Sequence, residues 1–273
     1  MRGPGTLLEH EQHWVTAMGA WFPGERVVFR GKDLFSQLNR TSWMELLLYG
    51  ITGRRFDDRQ LRLFEGIWTL CTSYPDPRLW NNRIAALAAT ARSTAALGIA
   101  AATAASEASI FGGRPVIQSI DFLLRARQRL ERGEPLDAVV RSELKARRGI
   151  AGYGRPLVRT DERIAPVMAL AGELGFSQGE YVKLAFDVER VLRAGRWRFR
   201  MNVAALLAGL AADQGLSRRE YSQYMVLCFS AGMFPGYIEA MHKPEGAFFP
   251  LRCARVCCRG KPRRRWEDAT DAN

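Results

Sequence analysis

The sequence predicts an all-α protein. Apolar residues recur at helical spacing through most of the chain, polar caps and glycines punctuate those runs, and only two short stretches read as strand. The first of these is Glu25-Arg26-Val27-Val28-Phe29-Arg30. Helical spacing then links Leu34, Leu38, Trp43, Leu46, Leu47 and Leu48 around the polar cluster Asn39-Arg40-Thr41-Ser42. Asp57-Asp58-Arg59-Gln60 opens the next helix, whose apolar side is Leu61, Leu63, Phe64, Ile67 and Leu70. Residues 83–110 are rich in alanine with almost no polar face. A helix apolar all round is buried, so this stretch is expected in the core, where small residues let neighbours approach.

Ile117, Ile120, Leu123, Leu124 and Leu130 continue the helical period to Gly133. Two helices follow over Glu162–Leu174 and Gln178–Leu192, separated by Gly172 and Gly175-Phe176-Ser177, with Ser177 a candidate N-cap. Asn202–Asp213 and Ser217–Cys228 come next, the second opened by Ser217 with Glu220 three residues on, a capping-box spacing. Leu251–Cys258 is the second strand-like stretch. Glycine turns interrupt the helices at Phe111-Gly112-Gly113 and Gly149–Gly154.

Composition excludes several classes. With 273 residues, 47% of them hydrophobic, the chain can bury a sizeable core and is not disordered as a whole. The longest uncharged apolar stretch, Ser93 to Ser106, falls short of the roughly 20 residues a bilayer requires. No apolar run follows Met1-Arg2-Gly3-Pro4, so no secretory leader is expected. Five cysteines are too few for a disulfide scaffold, and a reducing cytoplasm is the expected compartment. The net charge of +12 attracts anions, either nucleic acid or a phosphate-bearing small molecule such as coenzyme A. Part of that excess is local: Arg252 to Arg265 holds seven Arg/Lys and no acid. The run has little aromatic interleaving and matches no nucleic-acid module, so nucleic acid is not the expected partner.

Metal and nucleophile signatures are missing too. His10 and His13 share one helical face, as a solvated pair does, and lack further ligands. Cys253, Cys257 and Cys258 have no fourth ligand at sensible spacing and read as small hydrophobes in a strand. No metal and no covalently bound cofactor is expected.

Six segments, in order, resemble the citrate synthase superfamily. Val27-Val28-Phe29-Arg30-Gly31-Lys32-Asp33-Leu34 resembles its early I-x-Y-R-G-Y-D-L strand, and Ser42 to Gly53 its S-[FY]-x-E-x-x-x-L-L-x-x-G helix. Ile110-Phe111-Gly112-Gly113 stands where L-H-G-G is usual. Gly152-Tyr153-Gly154-Arg155-Pro156-Leu157-Val158-Arg159-Thr160-Asp161-Glu162-Arg163 resembles the G-[FY]-G-H loop that ends in D-P-R. Asn202-Val203-Ala204 replaces N-V-D, and Phe229 to Ala240 resembles F-x-x-G-R-x-x-G-W-x-A-H. Each motif is degenerate, and their order is what persuades.

The resemblance implies a two-domain helical fold, with a large domain from residues 1–112 and 215–273 and a small domain inserted over 113–214. It also implies an obligate homodimer, an interdomain cleft, and acyl-CoA and keto-acid substrates joined by a Claisen-type condensation. That chemistry uses a carboxylate to remove the α-proton and two histidines to handle the enolate and the keto-acid carbonyl. The corresponding positions here are Ala204, Phe111 and Arg155, none of which can do that work. The ordinary citrate synthase reaction is therefore not expected.

Among the substrate-carboxylate arginines of the family, Arg163 remains, Met233 replaces a second, and Arg252 or Arg255 stands for the third. Asn82 matches a family asparagine and is a candidate substrate contact. Gly152, Gly154, Arg159 and Thr160 belong to the loop that similar proteins use for the coenzyme's phosphates. Two functional readings remain open. In one, a divergent acyltransferase or lyase uses Arg155 to hold an oxyanion or carboxylate and Glu107 as base. Against it, Glu107 pairs with Arg114 or Arg78, and Arg155 with Asp161 or Glu162. In the other, an inactive protein retains the dimer and the coenzyme cleft.

Overall fold

The computed structural model describes residues 4–9, 11, 16–71, 76, 78–109, 112–155, 158, 160–195 and 199–247. Phe111, Arg159, Arg252, Arg255, the strand expected over 251–258, the pair His10 and His13, and Cys253, Cys257 and Cys258 lie outside the described residues. Helices dominate. A short α1 (Pro4–Glu9) precedes a small antiparallel sheet of β1 (Gly19–Phe22), β2 (Arg26–Phe29) and β3 (Lys32–Asp33) in that order. The strand expected at Glu25–Arg30 is thus the middle strand, with Ala20 opposite Val28 on one side and Asp33 opposite Val28 on the other.

Eleven more helices follow among the described residues: α2 (Trp43–Thr52), α3 (Asp58–Cys71), α4 (Trp80–Thr90), α5 (Ala95–Ala105), α6 (Gly113–Glu131), α7 (Leu136–Arg147), α8 (Ile164–Glu173), α9 (Glu180–Ala194), α10 (Val203–Asp213), α11 (Arg218–Cys228) and α12 (Met233–Met241). Several helix starts are set by side-chain caps. Ser42 accepts from the Glu45 N–H at 3.1 Å, and Asp57 and Gln60 cap each other reciprocally at 2.8 and 2.9 Å. Ser217 and Glu220 form a complete capping box.

Two expectations are corrected. Residues 83–110 are two helices, because the chain turns at Arg92, which sits at φ 58°, and restarts at Thr94, whose hydroxyl caps α5. Arg92 braces the turn by donating to the carbonyls of Met241 and Lys243 at 2.7 and 3.0 Å. Nor is this stretch buried as a whole: in α5 only Gly98 and Ala102 are, and Leu97 is 66% exposed. The helix that is apolar all round and fully enclosed is α10, where every residue from Val203 to Ala212 is buried. The second correction concerns α9. Ser177 does not cap it; the carboxylate of Asp213, from the end of α10, accepts from the Tyr181 and Val182 N–H groups at 2.9 and 3.1 Å. Burial pushes the Asp213 carboxyl upward in spite of those bonds.

The core has two parts. The larger packs α2, α3 and α6 to α11 around Phe64, Ile120, Leu123, Leu206, Tyr221 and Tyr224. Gly209 lets α10 approach the α9 backbone, since an added Cβ would lie 3.0 Å from the Tyr181 carbonyl oxygen. The smaller part joins α4, α5 and α12 through Ala85, Ala89, Ala102, Met233 and Tyr237, and Phe229 packs against both. No helix among the described residues is long and apolar enough to cross a membrane.

Candidate functional site

The turn between α7 and α8 is built by two glycines that face the start of α10. Gly152 and Gly154 both have φ 89°, a left-handed conformation that favours glycine. A Cβ on Gly152 would also meet Ala205 Cβ at 2.6 Å and Ser119 Oγ at 2.9 Å. The loop docks along residues 200–202. Gly154 N–H donates to the Arg200 carbonyl at 2.6 Å, and Asn202 N–H to the Gly152 carbonyl at 2.8 Å. The Asn202 side chain donates to the Gly154 carbonyl at 2.9 Å and accepts from the Ala204 N–H at 2.9 Å, so one residue fixes the loop and caps α10. Between the glycines, Tyr153 is buried and donates to the Ala185 carbonyl of α9 at 2.8 Å.

Asp161 is the electrostatic centre of this region. Its side chain is fully enclosed, and it takes four N–H groups. Oδ1 accepts from Arg163 Nε at 2.9 Å and Arg163 N at 3.2 Å. Oδ2 accepts from Arg163 Nη2 at 2.8 Å and from Val203 N, the first residue of α10, at 2.9 Å. Burial alone would raise its pKa, but the bonds from Arg163 and Val203 outweigh burial and hold it below the ordinary value. Arg155 lies on the solvent side of the same cluster. Its Nη1 donates to Glu162 Oε2 and to the Thr160 carbonyl at 3.3 Å, and lies 3.7 Å from Asp161 Oδ1.

A cleft of about 570 Å³ opens against the same loop. Pro115 and Gln118 of α6, Glu143 and Arg147 of α7, the loop Gly149-Ile150-Ala151, Tyr153 and Phe199 line it. Its polar wall is an ion-pair cluster. Glu143 accepts both arms of Arg125 at 3.1 Å and is paired with Arg147 at 3.1 Å.

The structure brings Gly152, Gly154, Arg155, Thr160, Arg163 and Ala204 into one region. Glu107 follows α5, exposed, beside the first residue of α6: a Cβ on Gly113 would lie 3.4 Å from Glu107 Oε1. It has no ion-pair partner among the described residues, because Arg78 pairs with Asp76 at 2.6 Å and Arg114 donates to Ser109 at 3.1 Å. Of the alternatives for Arg155, Glu162 is the hydrogen-bonded partner, whereas the carboxylate of Asp161 belongs to Arg163. Asn82 is buried in the first turn of α4 and donates to the Asp76 carbonyl at 3.4 Å. Sequence reasoning missed that Asp161 ties the loop to α10, and it missed Gln118, Arg147 and Phe199. An aspartate two residues before an arginine was the available sign of a side-chain pair; the bond to Val203, 42 residues on, left no local sign.

No family model and no curated protein matches the sequence. Solved structures do. Citryl-CoA lyase from Hydrogenobacter thermophilus superposes with a TM-score of 0.80 over 93% of this chain and 98% of its own, at 20% identity. The chain has the citrate synthase fold. ATP citrate lyase from Methanothrix soehngenii, solved with citrate and coenzyme A, gives 0.67 at 16% identity, over 88% of this chain and 41% of that one. Citrate synthase from Thermoplasma acidophilum, solved with carboxymethyl coenzyme A and oxaloacetate, gives 0.62 at 18% identity, over 85% and 60%. At these identities the likeness is one of fold, and it agrees with the order of motifs in the sequence.

Proposed function

We propose that the chain is a divergent citrate synthase-type enzyme. It binds an acyl-CoA in the cleft on the Gly149–Gly154 loop and a carboxylate or keto-acid partner on the Arg155 side, and it makes or breaks a carbon–carbon bond as an acyltransferase or lyase. The cleft carries this reading. Its volume suits an organic ligand, and its wall mixes an aromatic ring, loop backbone and a few fixed polar groups. The three similar structures are enzymes, two of them solved with coenzyme A or an analogue of it. The inactive-protein reading draws no support from them.

Ala204 cannot take the α-proton and Arg155 cannot give one up at neutral pH, so the ordinary citrate synthase route is closed to these positions. In this proposal Arg155 holds anionic charge and Glu107, exposed beside the glycine turn that opens α6, is the base. The active unit is a soluble cytoplasmic homodimer, with a small domain over 113–214 set into a large domain from the remainder. The dimer draws support from an apolar stripe on adjoining helices, where Leu97 of α5 and Phe234, Ile238 and Met241 of α12 are 46–66% exposed.

Titration calorimetry with CoA and acetyl-CoA tests the reading. Saturable binding is expected, weakened by Phe199→Ala, which strips one wall of the cleft. Absence of binding to the wild type overturns it. With oxaloacetate and acetyl-CoA no citrate should form, and turnover near a typical enzyme rate of about 10 per second would mean that Ala204 or Arg155 is not where the chemistry happens.

A further inference from the structure

We infer that β1 is a docking edge for a second copy of this chain, the two β1 strands pairing antiparallel about Ala20 and joining their sheets into one. β1 is an edge strand, hydrogen-bonded to β2 on one side only. Arg30 N–H donates to the Met18 carbonyl at 2.6 Å, so in this register Met18, Ala20 and Phe22 turn their backbone groups toward β2. Gly19 and Trp21 turn theirs to the open side. The strand is exposed on both faces as well, with Trp21 at 74%, and Met18 just before it at 54%. Apolar edges are ordinarily guarded by a charge, above all lysine, or by a proline within the strand. From Thr16 to Phe22 there is neither.

The occupant follows from the strand's own symmetry. With Ala20 opposite the partner's Ala20, Gly19 faces the partner's Trp21 and exchanges both backbone hydrogen bonds with it, and Trp21 does the same with the partner's Gly19. Pro23 is next on the open side and has no N–H, which ends the ladder. On one face Met18 meets the partner's Phe22 beside the small alanine pair. On the other the Trp21 ring covers the partner's Gly19, a position where a Cβ would lie 2.7 Å from the Val28 carbonyl oxygen. Charge permits the approach: residues 16–24 carry none in a chain of net +12, so no like charges meet at the contact. Area sets its strength. Trp21, Phe22 and Met18 leave roughly 350 Å² per chain open to water, so the pair hides about 700 Å², short of the roughly 1,200 Å² of a stable interface. The contact is therefore weak and forms at high concentration.

Ala20→Cys tests the register. Residues opposite each other at a non-hydrogen-bonded position have Cα atoms about 4.5 Å apart, within the span of a disulfide. Oxidation at about 100 μM should link two chains through the introduced thiol, mapped as one peptide joined to itself. Thr16→Cys, roughly 26 Å from its own copy in this register, should link about tenfold less. Built into Ala20→Cys, Trp21→Pro removes an outward N–H while sparing the bonds to β2, and should abolish the link. In sedimentation the wild type should gain mass between about 1 and 100 μM, and the Trp21→Pro variant should not. Leu97→Glu should leave the link intact, which separates this edge from the apolar stripe on α5 and α12. No link in Ala20→Cys, equal linking in Thr16→Cys, a link that survives Trp21→Pro, or one lost in Leu97→Glu overturns the inference. So does a link from the introduced thiol to Cys253, Cys257 or Cys258, which would give the edge to the 251–258 stretch of the sequence instead.

Discussion

Asp161→Asn should be among the most damaging isosteric changes in this protein. The carboxylate accepts four N–H groups while its side chain is fully enclosed. An asparagine keeps one oxygen, which can serve two of the four donors, and turns an amide toward the other two. Breaking a buried ion pair costs about 3–5 kcal/mol, and the Arg163 side chain is 23% exposed, so water recovers part of the loss. About 2–4 kcal/mol remains, or about 4–16 °C in Tm for a chain of this size. The pH dependence has a definite sign. The folded carboxyl is held below its ordinary value, so its contribution is complete above about pH 4 and is lost as the pH falls through the folded value. Thermal melts of wild type and variant should therefore differ by a constant amount from about pH 5 to 8 and converge under more acid conditions. A Tm difference under about 2 °C, or one that persists undiminished in acid, refutes the account of Asp161 as the charged tie between loop and helix.

Gly152→Ala combines a left-handed backbone with a methyl group driven to 2.6 Å from Ala205 Cβ, and should lower stability by about 2–5 kcal/mol, measured by urea denaturation. A loss under about 1 kcal/mol would mean that the loop does not dock on α10 as described. Leu97→Glu should turn a sedimenting dimer into a folded monomer, because the side chain is 66% exposed within one chain and the change there is worth only about 0.5 kcal/mol to the fold itself. A wild type that sediments as a monomer at micromolar concentration removes the dimer.

What was legible in the sequence was local. Ser42, Asp57 and Ser217 announce helix starts within three residues of themselves, and the structure uses each of them. The break at Arg92 was hidden because alanines on both sides continue a helical composition, while the bonds that brace the turn reach Met241 and Lys243, about 150 residues away. In the same way α9 is capped by Asp213 from another helix, and no spacing within 177–192 could show it. Helix α7 escaped notice although Leu136, Val139, Val140 and Leu144 stand at helical spacing on its inner side; the buried, ion-paired Glu143 interrupts that apolar face.

The candidate site divides along the same line. Its glycines and arginines were readable as a motif, but how tightly each arginine is held depends on a carboxylate that both can reach. Asp161 lies 2.8–2.9 Å from the fork of Arg163 and 3.7 Å from a single nitrogen of Arg155. A motif sees two cations flanking one acid and assigns the ligand to the one that the family uses. Geometry ties Arg163 to Asp161, which holds the start of α10, and leaves Arg155 on the solvent side of that cluster. A guanidinium is a poor proton donor, so the proposed enzyme must draw its proton chemistry from a residue other than Arg155. That requirement brings Glu107 into the proposal: it is exposed, has no ion-pair partner among the described residues, and stands at the glycine turn that opens α6.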